Sequence, residues 1–206
     1  MCPAPARLLT SSLVLDAGLV LAAAFGVLFH LMAARGLGPV TYGAFTASLS
    51  YVTLWAIVME GGIGLALTRE VSADPRRLAW VADFARWRRR LLWLGAAGAV
   101  ASAGLVRFEA QVVGLVAILA VGMAALSSMR LAFAIFRALG RFTQEAVLST
   151  AQKALLVLLT AAALALGTGV EGVAVAFTLS YAITAVPALT RAWREARPAL
   201  SSSGNA

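Results

Sequence analysis

The sequence has very few of the residues that build most catalytic and metal sites. Its 206 residues include one cysteine, Cys2, and one histidine, His30. A single cysteine excludes a disulfide framework within the chain. A zinc site needs more cysteine or histidine ligands than these two residues supply. His30 lies in an apolar run, which disfavours a nucleophile–base pair. The sequence therefore predicts a protein that is not an enzyme and that holds neither metal nor cofactor.

Charged residues are also scarce. They make up 13% of the chain, whereas hydrophobic residues make up 61%. A soluble domain has about 25% charged and about 45–50% apolar residues. This balance excludes an ordinary soluble domain and an intrinsically disordered chain. The net charge of +8 would suit nucleic acid, but the positions of the basic residues indicate a membrane lipid partner and no nucleic acid.

Six long apolar segments are present instead. A helix needs about 20 mostly apolar residues to cross a bilayer. Alanine and leucine dominate, and no segment alternates with period two, so helices are favoured over a membrane barrel. The predicted fold is an all-α polytopic bundle of six transmembrane helices within residues 1–200, followed by a disordered tail, 201–206. The six predicted spans are residues 8–34, 43–68, 91–106, 110–136, 146–166 and 170–190.

The first span could alternatively be a cleaved signal peptide. Arg7 would then be its basic start, and Met32-Ala33-Ala34 resembles a cleavage site. The apolar run is longer than the usual 7–15 residues of such a peptide, so a membrane span is favoured.

The polar stretch Arg69–Arg90 interrupts the apolar pattern. Ser72 could cap a short helix that ends at Arg90, with Trp80, Phe84 and Trp87 on one side. Such a helix would lie on the membrane surface.

Glycines mark two further features of the apolar segments. Gly61, Gly62 and Gly64 follow Glu60 and indicate either a bent helix or close packing. The glycines of the third span are predicted to be packing residues; they are Gly95, Gly98 and Gly104.

Basic residues fall almost entirely on one side of the six spans. Only Arg35 and Arg107 fall on the other side, and Arg130 and Lys153 lie within spans. The positive-inside rule therefore places both termini in the cytoplasm of a bacterial cell. The thirteen residues on the predicted cytoplasmic side are Arg7, Arg69, Arg76, Arg77, Arg86, Arg88, Arg89, Arg90, Arg137, Arg141, Arg191, Arg194 and Arg197.

Four ionisable residues lie inside predicted spans: Asp16, Glu60, Arg130 and Lys153. Counted from the nearest cytoplasmic charge, all four are about 10–13 Å from the cytoplasmic helix ends. Charges at that depth avoid lipid and face the bundle interior or a wet cavity. They could pair as Asp–Arg and Glu–Lys bridges that fix helix packing. They could equally form a polar floor in which Arg130 and Lys153 accept an anionic group.

Three motifs carry a resemblance to a known family. Arg35–Gly43 resembles the Arg-x-Leu-Gly-Pro-x-x-Tyr-Gly signature of polysaccharide biosynthesis membrane proteins. These are O-antigen-type flippases of the multidrug/oligosaccharidyl-lipid/polysaccharide exporter superfamily. Glu60–Glu70 is similar to that family's glycine-rich stretch before an Arg-Glu pair, and Phe136–Phe142 to its link after the fourth span. The resemblance covers about residues 8–195.

The resemblance implies that a polyprenyl-pyrophosphate-linked sugar enters a cationic cavity between two helix bundles. Arg130 and Lys153 would then bind the diphosphate, with Asp16 and Glu60 as their partners in its absence, and Arg35 would guard the outer mouth. Family members have about twelve to fourteen spans in two bundles, so this chain corresponds to the amino-terminal six-helix half. A second six-helix half or a parallel homodimer would complete the path.

Two other functions stay open at this stage. In a cation-coupled multidrug exporter, Asp16 and Glu60 would carry protons or sodium. Alternatively, the chain could be a non-transporting membrane partner, or a fragment, beside glycan-assembly enzymes in the inner membrane.

Overall fold

The structure is a computed structural model that describes residues 5–60 and 79–202, with side chains described over 17–60 and 87–195. The described residues are helical, apart from short turns, and include no strand. The all-α prediction is therefore confirmed for this part of the chain. The helices are α1 (Pro5–Leu37), α2 (Pro39–Glu60), α3 (Ala79–Leu105), α4 (Ala110–Ala138), α5 (Phe142–Ala165) and α6 (Gly169–Ser202).

Short turns make the helices on either side antiparallel for every described connection, that is, all except the link from α2 to α3. Gly38, with φ 75°, separates α1 from α2, and Pro39 then begins α2. Proline suits a first helical position because its fixed φ matches the helix and its missing N–H would have no partner there. Gly140, with φ 69°, lies between α4 and α5, and the Arg141 N–H donates to the Phe136 carbonyl at 2.8 Å. Both glycines take a backbone conformation that disfavours other residues.

Five of the helices are long and apolar enough to cross a membrane. They are α2, α4 and α5 over their full lengths, α1 over Ala17–Leu37, and α6 over Gly169–Glu195. This composition indicates a multi-pass membrane protein. The third predicted span, 91–106, is not among them. Its apolar part follows three consecutive arginines and is shorter than the about 20 residues of an ordinary span. Six spans therefore stay a prediction.

Helix α3 differs from the sequence prediction. It begins at Ala79, so residues 79–90 belong to the same helix as the third predicted span rather than to a separate surface helix. No glycine or proline occurs between Ala79 and Leu91 to end a helix. The proposed cap Ser72 and the glycines 61–64 lie outside the described residues.

Helix α6 is also longer than predicted. It continues beyond Thr190 and includes Ser201 and Ser202, which the sequence assigned to a disordered tail. Good helix formers, among them Ala192, Arg194 and Glu195, follow the apolar part and explain the extension.

The bundle has α4 and α6 at its centre. These two helices share the most extensive contact, and α4 also packs against α2 and α3. On the other side, α1 packs against α5, and α5 against α6. Contact between α1 and α2 is much smaller. Large apolar side chains such as Val20, Ile57 and Val186 are exposed on the outside, as expected for a surface that faces lipid.

Glycines allow close helix contacts at specific points. A Cβ added at Gly95 would lie 2.5 Å from the Met59 side chain, and one at Gly98 would lie 2.5 Å from the Trp55 ring. Both glycines therefore let α3 approach α2, as predicted. The same prediction is wrong for Gly104, where an added Cβ would meet nothing within 4 Å.

Candidate functional site

The two ends of the bundle differ in charge. We call the end that carries Arg137, Arg141, Arg191 and Arg194 the basic end, and the end that carries Arg35 and Arg107 the opposite end. The turns between neighbouring helices and the contacts of α3 with α2 show that α1, α3 and α5 begin at the basic end, whereas α2, α4 and α6 begin at the opposite end. Distance along α2 or α4 can therefore be counted from the residue with which that helix begins, at the opposite end of the bundle.

An ion pair joins α2 to α4 in the basic half of the bundle. Arg130 Nη1 donates a hydrogen bond to Glu60 Oε1. The pair is partly accessible, with 52% of the Arg130 side chain and 34% of the Glu60 side chain exposed. Glu60 and Arg130 each lie about 30 Å along their helix from its first residue, which is at the opposite end of the bundle. Their charges are therefore joined, yet they can still be reached from outside the protein.

Glu60 does not form the bridge to Lys153 that was one of the alternatives from the sequence. It pairs with Arg130 instead. The physical reason is helix packing, because α2 lies against α4 and has no comparable contact with α5. The suggested partner of Arg130, Asp16, has a side chain outside the described residues.

Arg88 is a functional candidate that the sequence analysis missed. Its side chain is buried, with 3% exposed. Nη2 donates to the Ser127 carbonyl and, at 2.6 Å, to Ser127 Oγ. Ser127 lies one helix turn before Arg130 on α4, so the contact holds Arg88 near the pair of Glu60 and Arg130. The buried Nε has no hydrogen-bond partner among the described residues. We call these four residues, Glu60, Arg88, Ser127 and Arg130, the arginine cluster.

The geometry of an α-helix could have identified Arg88 from the sequence. Consecutive residues of a helix point about 100° apart, so three successive arginines point in three different directions. Arg88 lies on the face that continues through Gly95, Ala99 and Ala103, which are buried against the bundle. Sequence analysis grouped it instead with the exposed Arg89 and Arg90.

The arginine cluster has more positive than negative charge. It contains two guanidiniums and one carboxylate among the described residues. A buried charge is costly unless it is paired and hydrogen-bonded. Guanidiniums also bind carboxylate and phosphate oxygens in a bidentate manner. The cluster can therefore accept an anionic group that competes with Glu60 for Arg130.

Lys153 lies about one helix turn from Arg130 along the bundle. Its Nζ donates to the Tyr181 hydroxyl at 3.0 Å and lies 5.5 Å from the centroid of the Tyr181 ring. Thr184, three residues after Tyr181 on α6, lies 3.5 Å from the sulfur of Met129, which precedes Arg130 on α4. Because three to four helical residues rise about 5–6 Å, the two cations lie on neighbouring levels of the bundle.

Glu145 joins the start of α5 to the end of α4. It is buried, and its two carboxylate oxygens accept hydrogen bonds from Arg137 Nε at 3.0 and 2.8 Å. This pair holds the two helix ends together at the basic end.

Aromatic side chains connect α1, α2 and α6 on the far side of Lys153. The ring centroids of Tyr181 and Phe177 are 4.9 Å apart, those of Phe177 and Phe29 are 6.5 Å apart, and those of Phe29 and Phe45 are 6.1 Å apart. Tyr42 stacks on Phe45 and bonds to His30 Nδ1 at 3.0 Å. These contacts join α1 to α2 in the half towards the opposite end.

Arg35 is separate from both groups. It is exposed in the last turn of α1, at the opposite end, about 30 Å from the level of Glu60 and Arg130. Arg35 therefore lies far from the other two predicted substrate-binding residues, and among the side chains that the structure describes only Arg130 pairs with a predicted charge partner.

Comparison of the chain with models of protein families, with curated proteins and with solved structures finds no match. The family resemblance therefore rests on the three sequence motifs alone.

Proposed function

We propose that the chain is a flippase-like subunit that translocates a lipid-linked oligosaccharide for cell-surface polysaccharide biosynthesis. In this proposal it lies in a bacterial cytoplasmic membrane, with the basic end and both termini in the cytoplasm. The observation that carries the proposal is the arginine cluster. It places an accessible guanidinium, with excess positive charge beside it, on helices of span length. A diphosphate is the lipid-borne group that suits such a site best.

Arg130 would bind the diphosphate and Arg88 would support it. When the substrate enters from the basic end, its phosphate oxygens replace the Glu60 carboxylate on Arg130. Arg88 stays fixed on Ser127 and adds positive charge without moving. The polyprenyl tail remains in lipid. The binding energy is limited because the bond between Arg130 and Glu60 must break.

Lys153 is the next cation along the proposed path. It lies about one helix turn further towards the opposite end, beside the aromatic contacts that join α1 to α2. In an alternating-access cycle, separation of those contacts would open the opposite end after the basic end has closed. A parallel homodimer or a second six-helix half would supply the facing wall of the path.

The ion pair gives less support to a cation-coupled exporter. A carboxylate that carries protons must bind and release them during each cycle, whereas Glu60 is held in an ion pair with Arg130. A purely structural bridge between α2 and α4, as in a non-transporting membrane partner, would have the same geometry. Transport and substrate-affinity measurements on variants of the pair separate that role from substrate binding.

The direct test is flipping in proteoliposomes. A fluorescent polyprenyl-diphosphate sugar would be incorporated, and its movement across the bilayer would be followed by quenching from outside. We expect Arg130→Ala and Lys153→Ala each to lower the initial rate at least about tenfold, since a hydrogen bond to a charged group contributes about 1.5–3 kcal/mol. Arg194→Ala removes an exposed arginine of the basic end and should flip normally. Normal flipping by both Arg130→Ala and Lys153→Ala would reject the site.

A further inference from the structure

Helix α3 presents two arginines to the outside of the bundle. Arg89 and Arg90 are exposed, although the preceding residue, Arg88, is buried against α4. Among the described residues, neither arginine forms an ion pair. The exposed side of this helix turn therefore carries two positive charges.

The depth of these arginines makes their exposure unusual. Counted from the end of α3 at Leu105, Arg90 lies about 22 Å and Arg89 about 24 Å along the helix. The hydrocarbon core of a bilayer is about 30 Å thick. In the predicted arrangement in which α3 is one of six spans, with Leu105 at one boundary, both side chains leave the helix several ångströms inside the other boundary. A charged side chain at that depth reaches for the headgroups or draws an anion towards itself.

The surrounding surface fits a lipid molecule. Trp87 is 63% exposed, and the Arg90 guanidinium carbon lies 6.0 Å from the centroid of its ring. Leu94 and Trp93 are exposed one turn deeper. Tryptophan favours the boundary between headgroups and acyl chains. The phosphate end and the chain end of a phospholipid would therefore both have suitable partners on the same side of α3.

We propose that α3 carries a binding site for an anionic phospholipid of the leaflet at the basic end. Arg89 and Arg90 bind its phosphate, Trp87 packs at the level of its glycerol group, and Leu94 and Trp93 contact its acyl chains. Because the position of Arg89 and Arg90 along α3 fixes their depth, the bound phosphate lies deeper in the bilayer than the phosphates of the surrounding lipids. The same helix turn carries Arg88, so the lipid also stabilises the position of α3 beside the arginine cluster.

Lipid retention tests this site without any transport assay. The protein would be purified from nanodiscs that contain equal amounts of phosphatidylglycerol and phosphatidylcholine. The lipids that remain bound would then be counted by native mass spectrometry. Both lipids have a phosphate, but only phosphatidylglycerol has a net negative charge. Each arginine near a membrane surface contributes about fivefold to the affinity for an anionic lipid, so we expect a clear preference for phosphatidylglycerol in the wild type.

The variants decide whether α3 is responsible. Arg89→Gln with Arg90→Gln should reduce the preference about 25-fold or abolish it, and each single change should reduce it about fivefold. Arg191→Gln with Arg194→Gln removes two exposed arginines from α6 and should leave the preference unchanged. Arg89→Lys with Arg90→Lys should retain most of it, which separates loss of charge from loss of folding.

Two results would overturn the proposal. In one, the glutamine double variant keeps the preference of the wild type. In the other, the α6 control loses as much as the α3 variant, so the effect belongs to general surface charge. Neither result bears on flipping, so this inference can fail while the proposed function stands.

Discussion

Arg88 and Ser127 form the most buried polar contact between α3 and α4. The Arg88 guanidinium donates to both the carbonyl and the hydroxyl of Ser127, and both residues are almost fully buried. This contact fixes a cation beside Glu60 and Arg130 without using the Glu60 carboxylate. It explains how the bundle can hold two arginines near one acid.

Ser127→Ala should destabilise the bundle. The change removes one of the two acceptors of a buried guanidinium, which costs about 1–3 kcal/mol when a charged donor loses its partner. Resistance to denaturation in detergent, followed by circular dichroism, would measure the loss. Ser128→Ala is the matched control, because Ser128 bonds only to the Ala124 carbonyl of its own helix at 2.9 Å. Equal stability of the two variants would contradict the role assigned to Ser127.

Gly18→Ala should loosen the contact between α1 and α5. The added Cβ would lie 2.8 Å from Ala146 Cβ and 3.3 Å from Ala146 Cα, so one backbone must move. We expect a loss of about 1–3 kcal/mol, the usual cost of overpacking. Gly26→Ala in the same helix meets nothing within 4 Å and should gain up to about 1 kcal/mol from helix propensity. The prediction fails if both variants are stabilised alike.

Tyr181→Phe should weaken the anchoring of Lys153 while leaving its charge. The variant removes the 3.0 Å hydrogen bond to Lys153 Nζ but keeps the ring that packs on Phe177. We expect a loss of about 0.5–1.5 kcal/mol in stability and a several-fold lower flipping rate. Tyr51→Phe is the control, since its hydroxyl bonds to Ser102 in the contact between α2 and α3 and should affect stability alone. Unchanged flipping in Tyr181→Phe would remove Lys153 from the proposed path.

The helical fold follows from the sequence more directly than the charge pairs do. Apolar runs and glycine-containing turns locate most of α1, α2, α4, α5 and α6, because span length and turn chemistry are local properties. The start of α3 at Ala79 was missed because its polar first half resembles a surface segment. The local sequence does not show whether such a polar segment forms a separate helix or the first part of the apolar helix that follows.

The pairs depend on which helices are neighbours and on the rotation of each helix. Glu60 meets Arg130 because α2 packs on α4, and Arg88 turns inward because its face of α3 carries small residues. Neither fact is contained in the spacing of charges along the chain. The kinds of residue at the candidate site could therefore be predicted from the sequence. The burial of Arg88 and the pairing of Glu60 could be recognised only once the packing of the helices was known.

The central claim is that Arg130 binds an anionic substrate for which Glu60 is the internal competitor. The most direct measurement compares the affinity of Glu60→Gln and Arg130→Gln for a polyprenyl-diphosphate sugar. We predict that Glu60→Gln binds more tightly than the wild type, because the competing carboxylate is gone, and that Arg130→Gln binds at least about tenfold more weakly. Equal weakening by the two changes would contradict the account and would reduce the pair to a structural bridge between α2 and α4.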